Sequence, residues 1–334
     1  GNEVNASLQG SALLNLLGPQ LELKLEELPF FSESKPWPGP WKYLGKDIEG
    51  RDVKMPMVGL GTWQYDSDRA YFATKLALML GYRHVDTAYG YKNQEGVGKA
   101  IRESGVPRDQ IFVTTKIPGG LLLNEATAAL ETNLRQLNLE YVDLVLLHFP
   151  SDEDLKGGAS LRQEDWQALE KFYFLGKTKA VGVSHYCRRH IEDILEIAKI
   201  PIAVNQVQYH VGMGLSGPNA TDDKGYMDET GIVYQSFSPL CGPCGNGHGE
   251  LINGPLVSGI GQKYNKTGAQ VSLKWLVQQG IPVIPKSDKK DHLLENLDLF
   301  DWELGAVDML RLDSSTTPPV AGANDGTSGD CVIP

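Results

Sequence analysis

Ile111-Phe-Val-Thr-Thr-Lys116 and Val142-Asp-Leu-Val-Leu-Leu-His148 are two short β-rich runs separated by the helix-period segment Glu125–Leu137. A strand, a helix of about four turns and a second strand form the unit from which parallel sheets are built. The alternation extends outward in both directions. Strand-like runs at Met57–Gly61, Arg83–Asp86, Lys179–Ser184, Ala203–Gln206, Ile232–Phe237 and Pro282–Pro285 join the first two. Helical segments follow at Asp68–Leu80, Gln163–Leu175 and Gln270–Gln279. Eight strand–helix units therefore fit between Met57 and about Asp313, close to the ~250 residues of a closed barrel. The expected fold class is α/β, a (β/α)8 TIM barrel, with a β-hairpin around Gly50 as its floor. An open doubly wound sheet is the rival, and it wants a glycine-rich phosphate turn after its first strand. Gly59-Leu-Gly61-Thr62 lacks the third glycine and runs into Trp63-Gln-Tyr65 rather than a helix start.

Composition sets the class of protein that carries this pattern. The chain has 334 residues, of which 41% are hydrophobic and 22% charged, with a formal net charge of −11. The apolar fraction is too high for a disordered chain, and no apolar run approaches the ~20 residues of a membrane span. An acid surplus argues against a nucleic-acid binder, which carries a basic stripe. Four cysteines are too few for a disulfide scaffold, so a reducing, cytoplasmic setting is expected. Residues 1–40 read as an extension outside the domain, with Gly18-Pro19 breaking a leucine-rich stretch and Pro36-Trp-Pro-Gly-Pro40 closing it. Residues 41–334 read as one barrel domain.

Barrel active sites collect at the C-terminal ends of the strands, and four polar residues stand there. Asp86, Lys116 and His148 end three successive strand runs, and Tyr91 follows Asp86 by five residues. Singly, such a lysine is a solvated strand end and such a histidine a satisfied core residue; four on neighbouring strand ends ask for a joint explanation. An unperturbed tyrosine titrates near ~10. A lysine ammonium about 4 Å away favours phenolate by about 4 kcal/mol at an effective dielectric near 20, so Tyr91 is expected to be lowered by up to about three pH units before burial subtracts. Asp86 holds the lysine charged, and His148 donates to a carbonyl oxygen. This is general-acid machinery for a carbonyl, and the hydride must come from a nicotinamide cofactor.

At these residues the sequence resembles the aldo-keto reductases. The resemblance runs from about Lys42 to Asp313. It is carried by Gly59-Leu-Gly-Thr-Trp63, Gly81-Tyr-Arg-His-Val-Asp-Thr-Ala-Tyr-Gly-Tyr91, Asn93-Gln-Glu-Gly-Val-Gly98, Thr114-Thr-Lys116 and Tyr141-Val-Asp-Leu-Val-Leu-Leu-His-Phe-Pro150. It continues through Gly182-Val-Ser184, Asn205-Gln-Val-Gln-Tyr-His210, Ser238-Pro-Leu240, Ile284-Pro-Lys-Ser287 and Glu295-Asn296. The resemblance implies NADPH-dependent reduction of aldehydes and ketones, with a catalytic tetrad on Asp86, Tyr91, Lys116 and His148 and with Tyr91 as proton donor. It implies a cofactor site at Gly61, Thr62, Asp86, Ser184, His185, Gln206, Phe237, Ser238, Leu240, Lys286, Ser287, His292 and Asn296.

Within that site Ser184 and Gln206 match residues that hold the nicotinamide carboxamide, and Phe237 matches a stacking aromatic. Lys286 and Ser287 match the pair facing the adenosine 2′-phosphate. Two positions depart from the family pattern: His185 stands where asparagine is usual, and His292 where arginine is common. Asp288 adds a negative charge beside the phosphate pair, with Lys289 and Lys290 as compensating cations, so NADPH is expected to be favoured with weaker discrimination against NADH than in a typical member. The resemblance implies a substrate pocket walled by Trp63, Tyr91, His148 and Phe149, with residues 314–334 folded over the mouth as a specificity tail. Ser151-Asp-Glu-Asp154 and the tail's Asp325 and Asp330 make the mouth acidic, which points to a neutral or cationic carbonyl compound as the small-molecule partner of a monomer.

Three readings stay open beside this one. Cys241-Gly-Pro-Cys244, with His248, has the spacing of a redox pair or of zinc ligands, or it is two unrelated cysteines in a glycine-rich loop. His84 and Asp86 share a strand face as in metal-dependent barrel hydrolases, yet no His-x-His pair occurs and no metal is expected. A non-catalytic, cofactor-sensing member of the same fold is the third.

Overall fold

The computed structural model describes residues 35–151, 158–214, 223–241 and 247–314, all within the unit that begins at Lys35. The expectations placed on residues 1–34, on the acidic Asp152–Asp154, on Cys244 and on the tail from 315 onward lie outside the described residues.

Two antiparallel strands, β1 (Trp41–Lys46) and β2 (Asp52–Pro56), form a hairpin. Seven parallel strands follow in one sheet: β3 (Leu60–Gly61), β4 (His84–Asp86), β5 (Phe112–Ile117), β6 (Val142–Leu147), β7 (Thr178–Ser184), β8 (Val204–Gln208) and β9 (Val233–Phe237). Their spatial order is their order in sequence, with helices between successive strands from β3 onward. The helices are α1 (Ser67–Leu80), α2 (Gln94–Glu103), α3 (Leu123–Leu137), α4 (Gly158–Phe174), α5 (Arg188–Leu195), α6 (Asp223–Thr230), α7 (Gly247–Ile252), α8 (Pro255–Tyr264), α9 (Gly268–Gln278), α10 (Lys290–Leu297) and α11 (Ala306–Leu312). Their ends carry ordinary signals. The Asp66 carboxylate caps α1 by accepting the Arg69 N–H, and Gly81 ends that helix in the left-handed region, where the absence of a Cβ removes the steric cost.

The eighth strand-like run, Pro282–Pro285, is not a regular strand. Val283 makes single bridges to Val58 on one side and Ser236 on the other. The amides of Gly59 and Gly61 donate to Val283 and Pro285, and Ser236 donates to Pro282. These bonds close the barrel. Pro282 and Pro285 have no N–H, so a continuous ladder cannot form there. Gly61 fits beside this segment because it lacks a side chain: a Cβ there would lie 2.7 Å from the Ile284 carbonyl oxygen.

Side-chain alternation divides the core in two. Val145 and Leu147 face the helices within the larger cluster. Leu144 and Leu146 point into the barrel, where they meet Phe112, Ala180, Val204, Val233 and the hairpin's Leu44, Val53 and Met55. The hairpin is thus the floor that the sequence predicts, and each large side chain buried there contributes about 1.5–3 kcal/mol. The same period-2 alternation carries His84 and Asp86, and Phe112, Thr114 and Lys116, on the inner face, with the polar members toward the strands' C-terminal ends.

Candidate active site

Asp86, the last residue of β4, and Lys116 on β5 are both buried inside the barrel, with side chains 1% and 0% exposed. The lysine Nζ lies 2.5 Å from Asp86 Oδ1 and donates also to the Thr87 carbonyl and, at 3.2 Å, to the Tyr91 hydroxyl. A buried ion pair is tolerated when its remaining valences are met. Here the second carboxylate oxygen accepts from Gln206 Nε2 at 2.9 Å. Burial disfavours the ammonium, but the Asp86 carboxylate outweighs it, and Lys116 is raised above the usual lysine value.

Tyr91 sits on a 3-10 turn, Tyr89–Tyr91, directly after β4. The pKa expectation fails here. Burial of the phenol is the dominant influence and outweighs the Lys116 ammonium, so Tyr91 lies above the ordinary tyrosine value rather than below it. The group remains a protonated phenol at neutral pH. His148 follows β6, with its ring 5.5 Å from that of Tyr91 in an edge arrangement. Burial and then the Lys116 charge push His148 down to about 2, so its imidazole is neutral. The structure thus brings the four sequence-predicted residues together.

The predicted cofactor residues fall into two groups. Gly61 and Thr62 adjoin the tetrad, and the Thr62 backbone and hydroxyl both donate to the Asp86 carbonyl. Ser184 and Gln206 are register partners on β7 and β8, and Ser184 Oγ donates to the Gln206 carbonyl at 2.8 Å. His185 contacts Ser184 Oγ and the His148 carbonyl oxygen through Nδ1, each at 3.0 Å. Its ring stacks on Phe149 at 4.3 Å and lies 4.7 Å from Phe237. Phe149 stacks in turn on His148 at 4.6 Å. One aromatic row therefore links the ends of β6, β7 and β9. His185, Ser238 and Cys241 all have positive φ, at 61°, 47° and 55°, a conformation that costs non-glycine residues energy and clusters at functional sites. Leu240 is half-buried against the outer core.

The second group is remote from the tetrad in the chain. Lys286 is exposed and Ser287 buried, with Ser287 Oγ accepting the Lys289 N–H. Lys286 Nζ donates to Gln64 Oε1 at 2.7 Å. His292 is exposed. Asn296 is buried and hydrogen-bonds the Tyr82 hydroxyl. Trp63 and Phe149, two of the expected pocket walls, are both exposed.

The sequence reading missed the residues that hold these groups. Asn93 is fully buried; its amide donates to the Thr62 and Tyr65 carbonyls and accepts from Thr87. Asn133 donates to the Lys116 carbonyl. Arg69 pairs with Asp288 at 2.7 Å. Spacing gave no sign of these, because apart from Thr87 the partners are distant in sequence.

A profile described as "Aldo/keto reductase family" matches residues 57–316. The chain belongs to the aldo/keto reductase family. It is 38% identical over 276 residues to "Glyoxal reductase" of Bacillus subtilis, covering 81% of this chain and 93% of the relative. It is 35% identical to "Glycerol 2-dehydrogenase (NADP(+))" of Saccharomyces cerevisiae, covering 74% and 84%. A solved aldo/keto reductase structure from Brucella melitensis superposes with a TM-score of 0.71 at 33% identity, covering 82% of this chain and 98% of the other. As an aldo/keto reductase the chain is an oxidoreductase for small-molecule carbonyl compounds.

Two further observations bear on its setting. Among the described residues no helix is long and apolar enough to cross a membrane. Cys187 and Cys241 are each disulfide-bonded, against the expectation of reduced thiols. Both follow strands of the aromatic row, β7 and β9, by three or four residues.

Proposed function

We propose that this aldo/keto reductase reduces an aldehyde or ketone to the alcohol with NADPH, and that Tyr91 supplies the proton to the carbonyl oxygen. The donor set suits a nicotinamide dinucleotide: Ser184, His185 and Gln206 offer polar atoms for a carboxamide beside the flat ring of Phe237, and Lys286 with Ser287 suits a phosphate. The NADP(+) in the name of the yeast relative supports that choice. When bound, the cofactor supplies a hydride for the carbonyl carbon.

The observation that carries the reading is the 3.2 Å hydrogen bond from Lys116 Nζ to the Tyr91 hydroxyl, with Asp86 behind it. An acid must hold its proton until negative charge develops on the acceptor. Burial keeps the proton on Tyr91 Oη. As it transfers, Lys116 stabilises the phenolate left behind, and Asp86 keeps Lys116 charged and oriented. Neutral His148 offers one N–H to the carbonyl oxygen without competing for the proton. Trp63 and Phe149 wall the mouth with uncharged rings, which fits a neutral carbonyl substrate.

NADPH oxidation with a panel of aldehydes and ketones, in wild type and Tyr91→Phe, tests the reading. Turnover lost by at least about 100-fold in Tyr91→Phe, with dinucleotide binding retained, is expected. Binding of dinucleotide with no turnover of any carbonyl would favour a cofactor-sensing role instead.

A further inference from the structure

We infer that Arg69 sets the coenzyme selectivity of this chain by neutralising Asp288 at the edge of the 2′-phosphate cradle. The inference rests on the proposed placement of that phosphate at Lys286 and Ser287.

Asp288 follows these two residues directly, and its side chain is only 14% exposed. By itself it would set a carboxylate against a phosphate monoester carrying close to two negative charges at neutral pH. The fold supplies a counter-charge from the other end of the chain, 219 residues away. Arg69, in the first turn of α1, directs both Nε and Nη2 to Asp288 Oδ2 at 2.7 Å. Arg69 is itself held: its guanidinium carbon lies 4.9 Å from the centroid of the Tyr65 ring. Lys286 Nζ lies 5.2 Å from the same centroid and is fixed to Gln64. One ring therefore serves both cations and brings Arg69 into the immediate electrostatic surroundings of Lys286, where Arg69 and Asp288 act in opposite directions.

The charge count shows what Arg69 does. The side chains of Lys286–Asp291 sum to +1, and adding Arg69 gives +2, with Arg69 the cation that pairs with Asp288 itself. A 2′-phosphate experiences that difference; the uncharged 2′-hydroxyl of NADH does not. His292, at a position where arginine is common in the resemblance, is exposed; Lys289 and Lys290 precede it, and Arg69 adds a guanidinium from α1. Arg69 is half exposed, so its influence is screened by salt.

The experiment is direct titration of NADPH and of NADH, followed by tryptophan fluorescence, with wild type, Arg69→Gln, Arg69→Lys, Asp288→Asn and Arg69→Gln/Asp288→Asn. Arg69→Gln should weaken NADPH by about five- to tenfold at low salt and leave NADH unchanged within about twofold. Arg69→Lys should retain most of the affinity, and the double variant should recover it. Melting temperatures identify any variant that simply fails to fold, and recovery in the double variant separates charge from packing. Equal losses for NADPH and NADH, or no recovery on removing Asp288, overturn the inference while leaving the cofactor reading intact. Wild type that binds neither dinucleotide overturns both.

Discussion

Gln206 Nε2 donates to Asp86 Oδ2 at 2.9 Å, tying a residue proposed to hold the carboxamide to the carboxylate that pairs with Lys116. Gln206 also donates to Gln235 Oε1 at 3.0 Å, so its amide is anchored from the next strand. A hydrogen bond to a charged, buried group is worth about 1.5–3 kcal/mol. Gln206→Leu should therefore lower unfolding stability by that amount in urea denaturation. It should reduce kcat as well as dinucleotide affinity, because Asp86 loses a partner. A loss of affinity alone would show that the two groups act separately.

Removing half of the Asp86–Lys116 pair leaves an uncompensated buried charge, which costs about 3–5 kcal/mol. Lys116→Met should be destabilised by roughly that much, measured by denaturant unfolding. Lys116→Met/Asp86→Asn should regain much of the stability and none of the reductase activity. Such a result separates the pair's cost to the fold from its use in the reaction.

Three histidines, His84, His148 and His210, bear on the acid limit of the protein. Burial lowers His84 to about 3, His148 to about 2 and His210 to about 4, against an unfolded value near ~6.5. Each is neutral in the folded chain and charged once unfolded in acid. Their contribution to stability is therefore complete above about pH 6.5 and is lost as pH falls toward the folded values. Thermal melts should show a Tm that drops below pH 6.5, and His84→Gln should flatten that slope. An unchanged slope would place the acid sensitivity elsewhere.

Gly61→Ala tests the barrel closure. The added methyl would meet the Ile284 carbonyl oxygen at 2.7 Å, a backbone atom that cannot rotate away. A loss of about 1–3 kcal/mol is expected, read by chemical denaturation, and a neutral effect would mean that the Pro282–Pro285 segment yields easily.

The barrel and its tetrad were legible because both are written in local patterns. Val142-Asp-Leu-Val-Leu-Leu-His148 shows its strand and its terminal histidine within seven residues, and the structure places β6 at Val142–Leu147 with His148 just beyond. Asp86 and Tyr91 are legible from a single turn. Helix α2 was not, because Gly96 and Gly98 interrupt its apolar face. The strand expected at Pro282–Pro285 gave way to bridges because each proline removes a ladder donor. The sign of the Tyr91 shift was beyond reach because spacing discloses the nearby charge but not the depth of burial. Arg69 escaped for a related reason: its partner is chosen by the meeting of the first and last segments of the barrel.

That meeting has a mechanical side. The Pro282–Pro285 segment is sewn to its neighbours by single backbone bonds in place of a full ladder, three to the Met57–Gly61 run and two to Ser236. Just past that seam, Gln64 and Arg69 reach across from the first strand's loop and helix to Lys286 and Asp288. These side chains act as rivets over a weak join. Any ligand gripped at Lys286 and Ser287 would add another fastening at the same place, so occupancy there should slow the opening of the whole barrel.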